Sequence, residues 1–424
     1  MRWFIDERIK LHMATGFFYG YKLVAAGSTV QMMTLGCVYT YGVIFSELEN
    51  EFGWSRAAIS GAASLFFLLY GSFGIVIGSA TDRFGPRIVL TICGILFSVG
   101  FLLLYQMESI LELYLCYGLM CGVGMAAHDV SVLSTIARWF VKKRGLVTGI
   151  VKSGAGIGQM IVPLVAAPLI VSFGWRHTCL AIGLFALVLL VAVAQLFRRD
   201  PESVGLKPLR DKQNGDGLNR GLEGGFSLKE VLSKKQFWLL SFAKFADMFC
   251  LFTVILHIVP HGIDQGLGST TAVMVLSAIG GCSILGRIFF GGMYDYLGAR
   301  LSLMICFTTL FLSCVLLQIS FDPRLLFLFA LIYGIAHGGF FTVASPSVAD
   351  LFGTREHGII FGLIIFFGTL GGTIGPVIAG TIFDQTKSYS VAFLLLTGVA
   401  ALGIILTSQL RPTLPKVSDA STVE

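Results

Sequence analysis

Apolar residues fill the chain from about position 21 to position 410, and polar residues gather in the gaps between apolar stretches. About 20 helical residues, at 1.5 Å each, cross the roughly 30 Å of a bilayer's hydrocarbon. Helical periodicity and length together predict twelve spans. They run roughly over 21–45, 57–81, 87–105, 111–137, 145–172, 177–197, 236–261, 271–293, 300–319, 325–349, 357–383 and 389–410. The one long polar gap, 198–235, carries Pro, Gly, Asn and mixed charges, and it separates six spans from six. The expected fold is an all-α membrane protein with 12 transmembrane helices in two pseudo-symmetric six-helix bundles. The expected organisation is a cytoplasmic segment 1–20, a bundle 21–197, a cytoplasmic linker 198–235, a bundle 236–410 and a cytoplasmic tail 411–424.

Charge placement orients the spans. Of 30 Lys and Arg, 23 fall on the N-terminal side of the membrane, and only Arg56, Arg176, Arg324 and Lys387 fall on the other. Such a bias marks the cytoplasmic face, so both termini are expected there, in a cell membrane and specifically a bacterial inner membrane. The acidic first outer loop, SELENEFGWS, agrees. Three cations remain inside spans: Lys152, Lys244 and Arg287.

Composition supports this picture and excludes others. Charged residues make up 13% of the chain, against about 25% in soluble domains. The net charge of +6 is spread between spans, not gathered on one face or tail as nucleic-acid binding would need. The nine cysteines sit in apolar segments without CxxC spacing, so they read as packing residues, not disulfides or metal ligands. The polar stretch before Tyr21 does not have the form of a cleavable signal peptide. No nucleophile constellation, metal cluster or phosphate loop appears, so an enzyme is not expected and no cofactor is called for.

The halves repeat at an offset of 213 residues. GSATDRFGPR (78–87) aligns with GGMYDYLGAR (291–300), pairing Gly78 with Gly291, Asp82 with Asp295, Gly85 with Gly298 and Arg87 with Arg300. The same offset pairs Gly145 with Gly358, Gly149 with Gly362, Gly158 with Gly371 and Pro163 with Pro376. Parallel six-helix repeats describe a transporter whose halves rock about a site near the bilayer midplane. GxxxDRxGxR between spans 2 and 3 resembles the signature of the major facilitator superfamily. Asp82, Arg83, Arg87, Asp295 and Arg300 read as conformational latches at helix ends, not substrate ligands.

Within that superfamily, ARWFVKKRGLVTGIVKSGAGIGQMIVP (137–163) looks like the monocarboxylate transporter pattern. FGWSRAAIS (52–60), LGRIFFGGMYDYLGAR (285–300) and LFGTREHGIIFG (351–362) fit its bacterial branch, which includes oxalate/formate antiporters. The resemblance covers about residues 20–410. It implies transport of small carboxylates such as lactate or pyruvate, often with a proton. The family's span-8 arginine matches Arg287. One turn earlier, where animal members have an aspartate, stands Ser283.

A lysine or arginine at a helix centre costs about 2.5–3.5 kcal/mol on insertion scales, so it must face an anion, water or a cavity. By helical rise, Arg287 and Lys152 each lie about 12 Å from the cytoplasmic ends of their spans, and His128 about 15 Å from its own. His337 lies near mid-span. Ser283 and Arg287 share a helix face, as do Tyr333 and His337, with Phe341 beside them. The candidate substrate ligands are Arg287, Lys152, His128, His337, Ser283, Phe341 and Tyr333. A planar guanidinium can hold a carboxylate through two parallel hydrogen bonds. Lys152 either pairs with Asp129 or clamps the anion. Asp129, Asp247, His128 and His337 are the proton-coupling candidates; Lys244 and Asp247 can also satisfy each other. His257 and His261 have metal-pair spacing without a third ligand, so no metal is expected.

The function expected is alternating-access transport of a small organic anion by a monomer in the lipid bilayer, with proton symport. The other readings are carboxylate or dicarboxylate exchange using Arg287 and Lys152 together, and a transporter-like sensor without flux.

Overall fold

The computed structural model describes residues 18–54, 56–141, 143–207, 225–267, 269–319 and 323–413. Residues 1–17, 208–224 and 414–424 of the expected segment, linker and tail lie outside the described residues. Twelve spanning helices appear among the described residues. They are α1 (Gly20–Phe52), α2 (Arg56–Phe84), α3 (Pro86–Leu103), α4 (Ile110–Trp139), α5 and α6, α7 (Lys235–Asp264), α8 and α9, α10 (Pro323–Phe352), α11 (His357–Thr386) and α12 (Ser390–Ser408). Helices α5 (144–173) and α6 (175–194) follow one another within Arg144–Ala194 and are separated by Gly174 alone. Helices α8 (269–297) and α9 (299–318) likewise follow one another within Ser269–Gln318 and are separated by Gly298 alone.

Two expected loops are thus single-residue breaks. Gly174 and Gly298 have φ of 78° and 72°, a region closed to most side chains by Cβ clashes. One such residue reverses the chain with no loop at all. The first latch motif is nearly as tight: Gly85, with φ 85°, leads directly into Pro86 at the start of α3, where proline's missing N–H costs nothing.

The surface is inverted relative to a water-soluble protein. Val171 is 88% exposed and Val188 70% exposed, whereas Gln31, Asp129, Lys152, Asp247 and Arg287 are buried. Large apolar side chains on the outside need a hydrocarbon solvent. The described cysteines are all free, most of them buried in the core.

Without a hydrophobic drive between helices, small residues set the packing. In the first bundle (α1–α6), Gly158 on α5 presses on the Met32 backbone of α1, where a Cβ would collide with the Met32 carbonyl. In the second (α7–α12), Gly371 on α11 meets Phe245 of α7 in the same way. These are repeat-related pairs, so the sequence repeat is a packing repeat. The bundles meet along α2 against α11, at Gly78 and Gly358, and along α5 against α8, at Gly145 and Gly291.

Gly158→Val in α5 is expected to destabilise by about 1–3 kcal/mol, the usual cost of overpacking. Gly281→Val, where a Cβ meets open space, is the control. Thermal unfolding in detergent checks the pair: equal midpoints would refute the close-contact account.

Candidate functional site

Three cations from two bundles converge on one aromatic ring. Lys152 Nζ (α5), Lys244 Nζ (α7) and Arg287 Cζ (α8) lie 5.2, 5.3 and 5.7 Å from the Phe341 ring centroid on α10. Phe341 offers them the negative face of its ring, worth about 0.5–2 kcal/mol per desolvated cation. Two of the cations have carboxylates. Lys152 donates to Asp129 at 2.6 Å and Lys244 to Asp247 at 2.6 Å.

Arg287 has no carboxylate. Among the described residues the guanidinium makes one hydrogen bond, from Nη1 to the Lys152 carbonyl at 3.0 Å, and its buried Nε has no partner. The neighbouring helix admits the arginine through glycine: a Cβ at Gly149 would meet the Arg287 carbonyl, and one at Gly156 would crowd Nη1. Tyr39 on α1, 40% exposed, stands within electrostatic range of the guanidinium. With three cations against two carboxylates, the cluster carries one uncompensated positive charge.

The Asp129 pair belongs to a wider network. Gln31 on α1 donates to Asp129 at 2.9 Å and to the His128 carbonyl, and Tyr70 on α2 donates to Asp129 at 3.1 Å. Sequence reasoning missed Gln31 and Tyr70. A signal existed: offset by 213 residues, Gln31 matches Lys244 and Tyr70 matches Ser283.

The other candidates take different positions. His128 places Nε2 3.6 Å from Asp129, and Nδ1 lies 3.2 Å from the Met125 carbonyl. His337 packs edge-on to Phe341 at 5.1 Å, within electrostatic range of all three cations, with Nδ1 unpartnered. Ser283 spends its hydroxyl proton on the Gly280 carbonyl one turn back. Tyr333 is fully buried and donates to the Leu251 carbonyl, which ties α10 to α7. His257 is held by Tyr389 and the Pro376 carbonyl, and no metal-binding group of three occurs among the described residues.

The latch motifs lie where the bundles meet. Asp82, at the end of α2, accepts the backbone N–H groups of Gly358 and Ile359, at 3.2 and 3.0 Å, from the first turn of α11. Asp295 accepts those of Gly145 and Leu146, at 2.7 and 3.0 Å, from the first turn of α5. Each carboxylate thus caps a helix of the opposite bundle, where orphan N–H groups and the helix dipole favour negative charge. Arg138 adds a 2.5 Å bond to Asp82 and one to the Thr354 carbonyl, and Arg144 bonds Asp350 at 2.6 Å. The face bearing residues 18 and 413 is therefore shut. Arg87 bonds Gln195 within its own bundle, Arg83 lies over Phe84, and Arg300 is exposed.

The profile of the Major Facilitator Superfamily matches residues 27–291 and 281–423. The chain belongs to this superfamily. It is 26% identical to a monocarboxylate transporter 13 of Rattus norvegicus, over 92% of this chain and 89% of that one. It is 24% identical to a monocarboxylate transporter 7 of Homo sapiens, over 93% and 86%. The fold superposes on the fucose:proton symporter of E. coli with a TM-score of 0.71, at 14% identity, covering 92% and 98% of the two chains. Superfamily membership makes the chain a multi-pass membrane transporter and not an enzyme. It also accounts for the two-bundle repeat.

In this superfamily fold the Lys152–Asp129 pair is open to a clean test. Breaking a buried pair on one side costs about 3–5 kcal/mol, because a lone charge stays behind. Lys152→Ala should therefore lower the thermal unfolding midpoint more than Lys152→Ala/Asp129→Ala does. A double variant no more stable than the single would show that the pair is not what holds Asp129.

Proposed function

We propose that this chain is a secondary active transporter of small organic monoanions, monocarboxylates such as lactate or pyruvate, taken up with a proton by alternating access. The observation that carries the reading is the unpaired Arg287 in a cluster of three cations and two carboxylates. One carboxylate restores neutrality there. It would dock on the guanidinium's free side, with Phe341, His337 and Tyr39 against its organic remainder. A second carboxylate would need Lys152 to leave Asp129, so the charge count favours monoanions over dicarboxylate exchange. The names of the monocarboxylate transporter relatives support the same class.

For the proton, the geometry favours Asp247. Asp129 is held by Lys152, Gln31 and Tyr70, whereas among the described residues Asp247 has Lys244 alone, and its buried Oδ1 has no partner there. Asp247 also lines a cavity of ~10 Å³, about the space of one water. His337 faces three cations, which oppose a further positive charge. His128 keeps a carboxylate neighbour and is the second choice. A proton and a monoanion together add no net charge to the site. The empty and the loaded cluster then carry the same charge, so a full cycle moves no net charge against the membrane potential, which acts at about 2.3 kcal/mol per charge per 100 mV. The charge bias of the loops supports a cytoplasmic position for the shut face and both termini, in a bacterial cell membrane.

Uptake of labelled lactate or pyruvate into proteoliposomes tests both assignments. Arg287→Ala should lower uptake and counterflow by about tenfold or more, the order of a lost charged hydrogen bond. Asp247→Asn should abolish accumulation driven by a pH gradient while counterflow persists. Wild-type-like uptake by Arg287→Ala would overturn the anion site, and gradient-driven accumulation by Asp247→Asn would overturn the proton site alone.

A further inference from the structure

A second polar cavity, of ~160 Å³, lies in the second bundle at the face opposite the swapped caps. It sits among the ends of α7, α9 and α11 and the start of α12. Its volume is far above the ~10–15 Å³ that admits one water on the same measure, enough for a compact ion of a few heavy atoms. Two buried side-chain nitrogens on its wall have no hydrogen-bond partner: His261 Nε2 and Gln318 Nε2. His261 is 7% exposed and its ring is fixed edge-on against Phe393 at 4.8 Å. Such groups are rare in native interiors and call for a partner.

The remaining lining is rich in donors. Lys387, exposed at the end of α11, brings an ammonium, and Ser388 and Ser390 bring hydroxyls. The first turn of α12 opens here, and its N-cap residue, Tyr389, supplies no side-chain cap. Ser388 Oγ accepts the Ser390 N–H at 3.2 Å and shares a hydrogen bond with Ser390 Oγ at 3.0 Å, so the first turn of this 19-residue helix offers the N–H groups of Val391 and Ala392 and its positive dipole end. The opposing groups are weaker. The α7 carbonyls of His261, Gly262 and Ile263 are engaged by the backbone N–H groups of Gln265, Leu267 and Gly266, and the α11 carbonyl of Phe383 is engaged by that of Lys387. Asp264 also lines the cavity and lies within electrostatic range of His261, but it is exposed to solvent, which screens its charge.

We infer that this cavity binds a small oxyanion group, a carboxylate or a phosphate, between His261, Gln318, Lys387 and the first turn of α12. The group comes either from a free ion in solution or from a lipid headgroup at that face. The site stands apart from the Arg287 cluster and does not depend on the transport reading. Its floor, Tyr389, is hydrogen-bonded to His257, which also contacts the Pro376 carbonyl of α11. An occupant would thereby brace α7, α11 and α12 together.

The test uses the full chain carrying Arg287→Ala, so that the central cluster cannot answer for it. The protein is purified in maltoside micelles at constant ionic strength, and thermal unfolding is followed against inorganic phosphate, lactate or phosphatidylglycerol. At least one probe should give a saturable rise in the unfolding temperature, because a ligand of the folded state raises its stability. Lys387→Gln, at an exposed turn, should weaken that response about tenfold, and His261→Phe should do likewise while keeping the ring. A response to the soluble ions supports the site with a free occupant, and a response to the lipid alone supports it with a headgroup. Absence of any saturable shift, or a shift unchanged by Lys387→Gln, overturns the proposal.

Discussion

A buried guanidinium without a carboxylate is the constraint around which the centre of this protein is organised. Leaving an ionised group in a low-dielectric interior is costly unless something offsets its charge. Arg287 receives a carbonyl from Lys152 and the face of Phe341. Both are dipolar or quadrupolar partners, which lower the cost without cancelling the charge. The neighbouring lysines are cancelled by aspartates 2.6 Å away. The site is therefore tuned to leave one charge standing, at one atom group, where two bundles meet. If this is the transport site proposed above, a single unmatched charge softened by weak partners would bind a cargo and still release it.

The repeat shows where the two halves were free to diverge. At the shut face the pairs remain equivalent: Asp82 caps α11 as Asp295 caps α5, and Gly78 meets Gly358 as Gly145 meets Gly291. At the centre equivalence is gone. Gln31 corresponds to Lys244, Thr34 to Asp247, His128 to Phe341 and Gly74 to Arg287. Closing two bundles symmetrically favours the same cap on both sides. Recognising a small asymmetric ion favours different groups on its two sides. The lipid-facing and helix-helix surfaces impose a third demand, small residues at crossings, and this too is met twice, at Gly158 and Gly371.

The sequence carried the spans, the repeat and the depth of the buried cations plainly, because hydropathy and helical rise are local properties. Lys152 and Asp129, 23 residues apart on adjacent spans, were readable as possible partners, and the structure joins them. Contacts that depend on how helices and bundles dock were not readable. Tyr70 reaches Asp129 across 59 residues, and Arg144 reaches Asp350 across 206. Nothing local to either residue names its partner. The same limit explains Tyr333. Its place on the stripe with His337 was visible, but the Leu251 carbonyl that takes its hydroxyl belongs to another helix. The glycine breaks were half-legible: Gly298 stood in a motif, while Gly174 stood in the short gap 173–176 with no motif to single it out.

Gate and cluster are joined by the same two helices. Asp295 and Arg287 lie eight residues apart on α8, about 12 Å by helical rise. On the facing helix, Gly145 is held by Asp295, Gly149 lies against Arg287, and the Lys152 carbonyl accepts from its guanidinium. Two rods in such close backbone contact cannot slide past one another by small side-chain adjustments. Separating α5 from α8 at the shut face must strip Asp295 from its helix end. The same movement strains the bond from Arg287 to Lys152 two turns further in. On the transport reading proposed above, an anion that took the guanidinium for itself would remove the second of these ties, and occupancy of the centre would lower the cost of opening the shut face through contacts that run along one continuous helix pair.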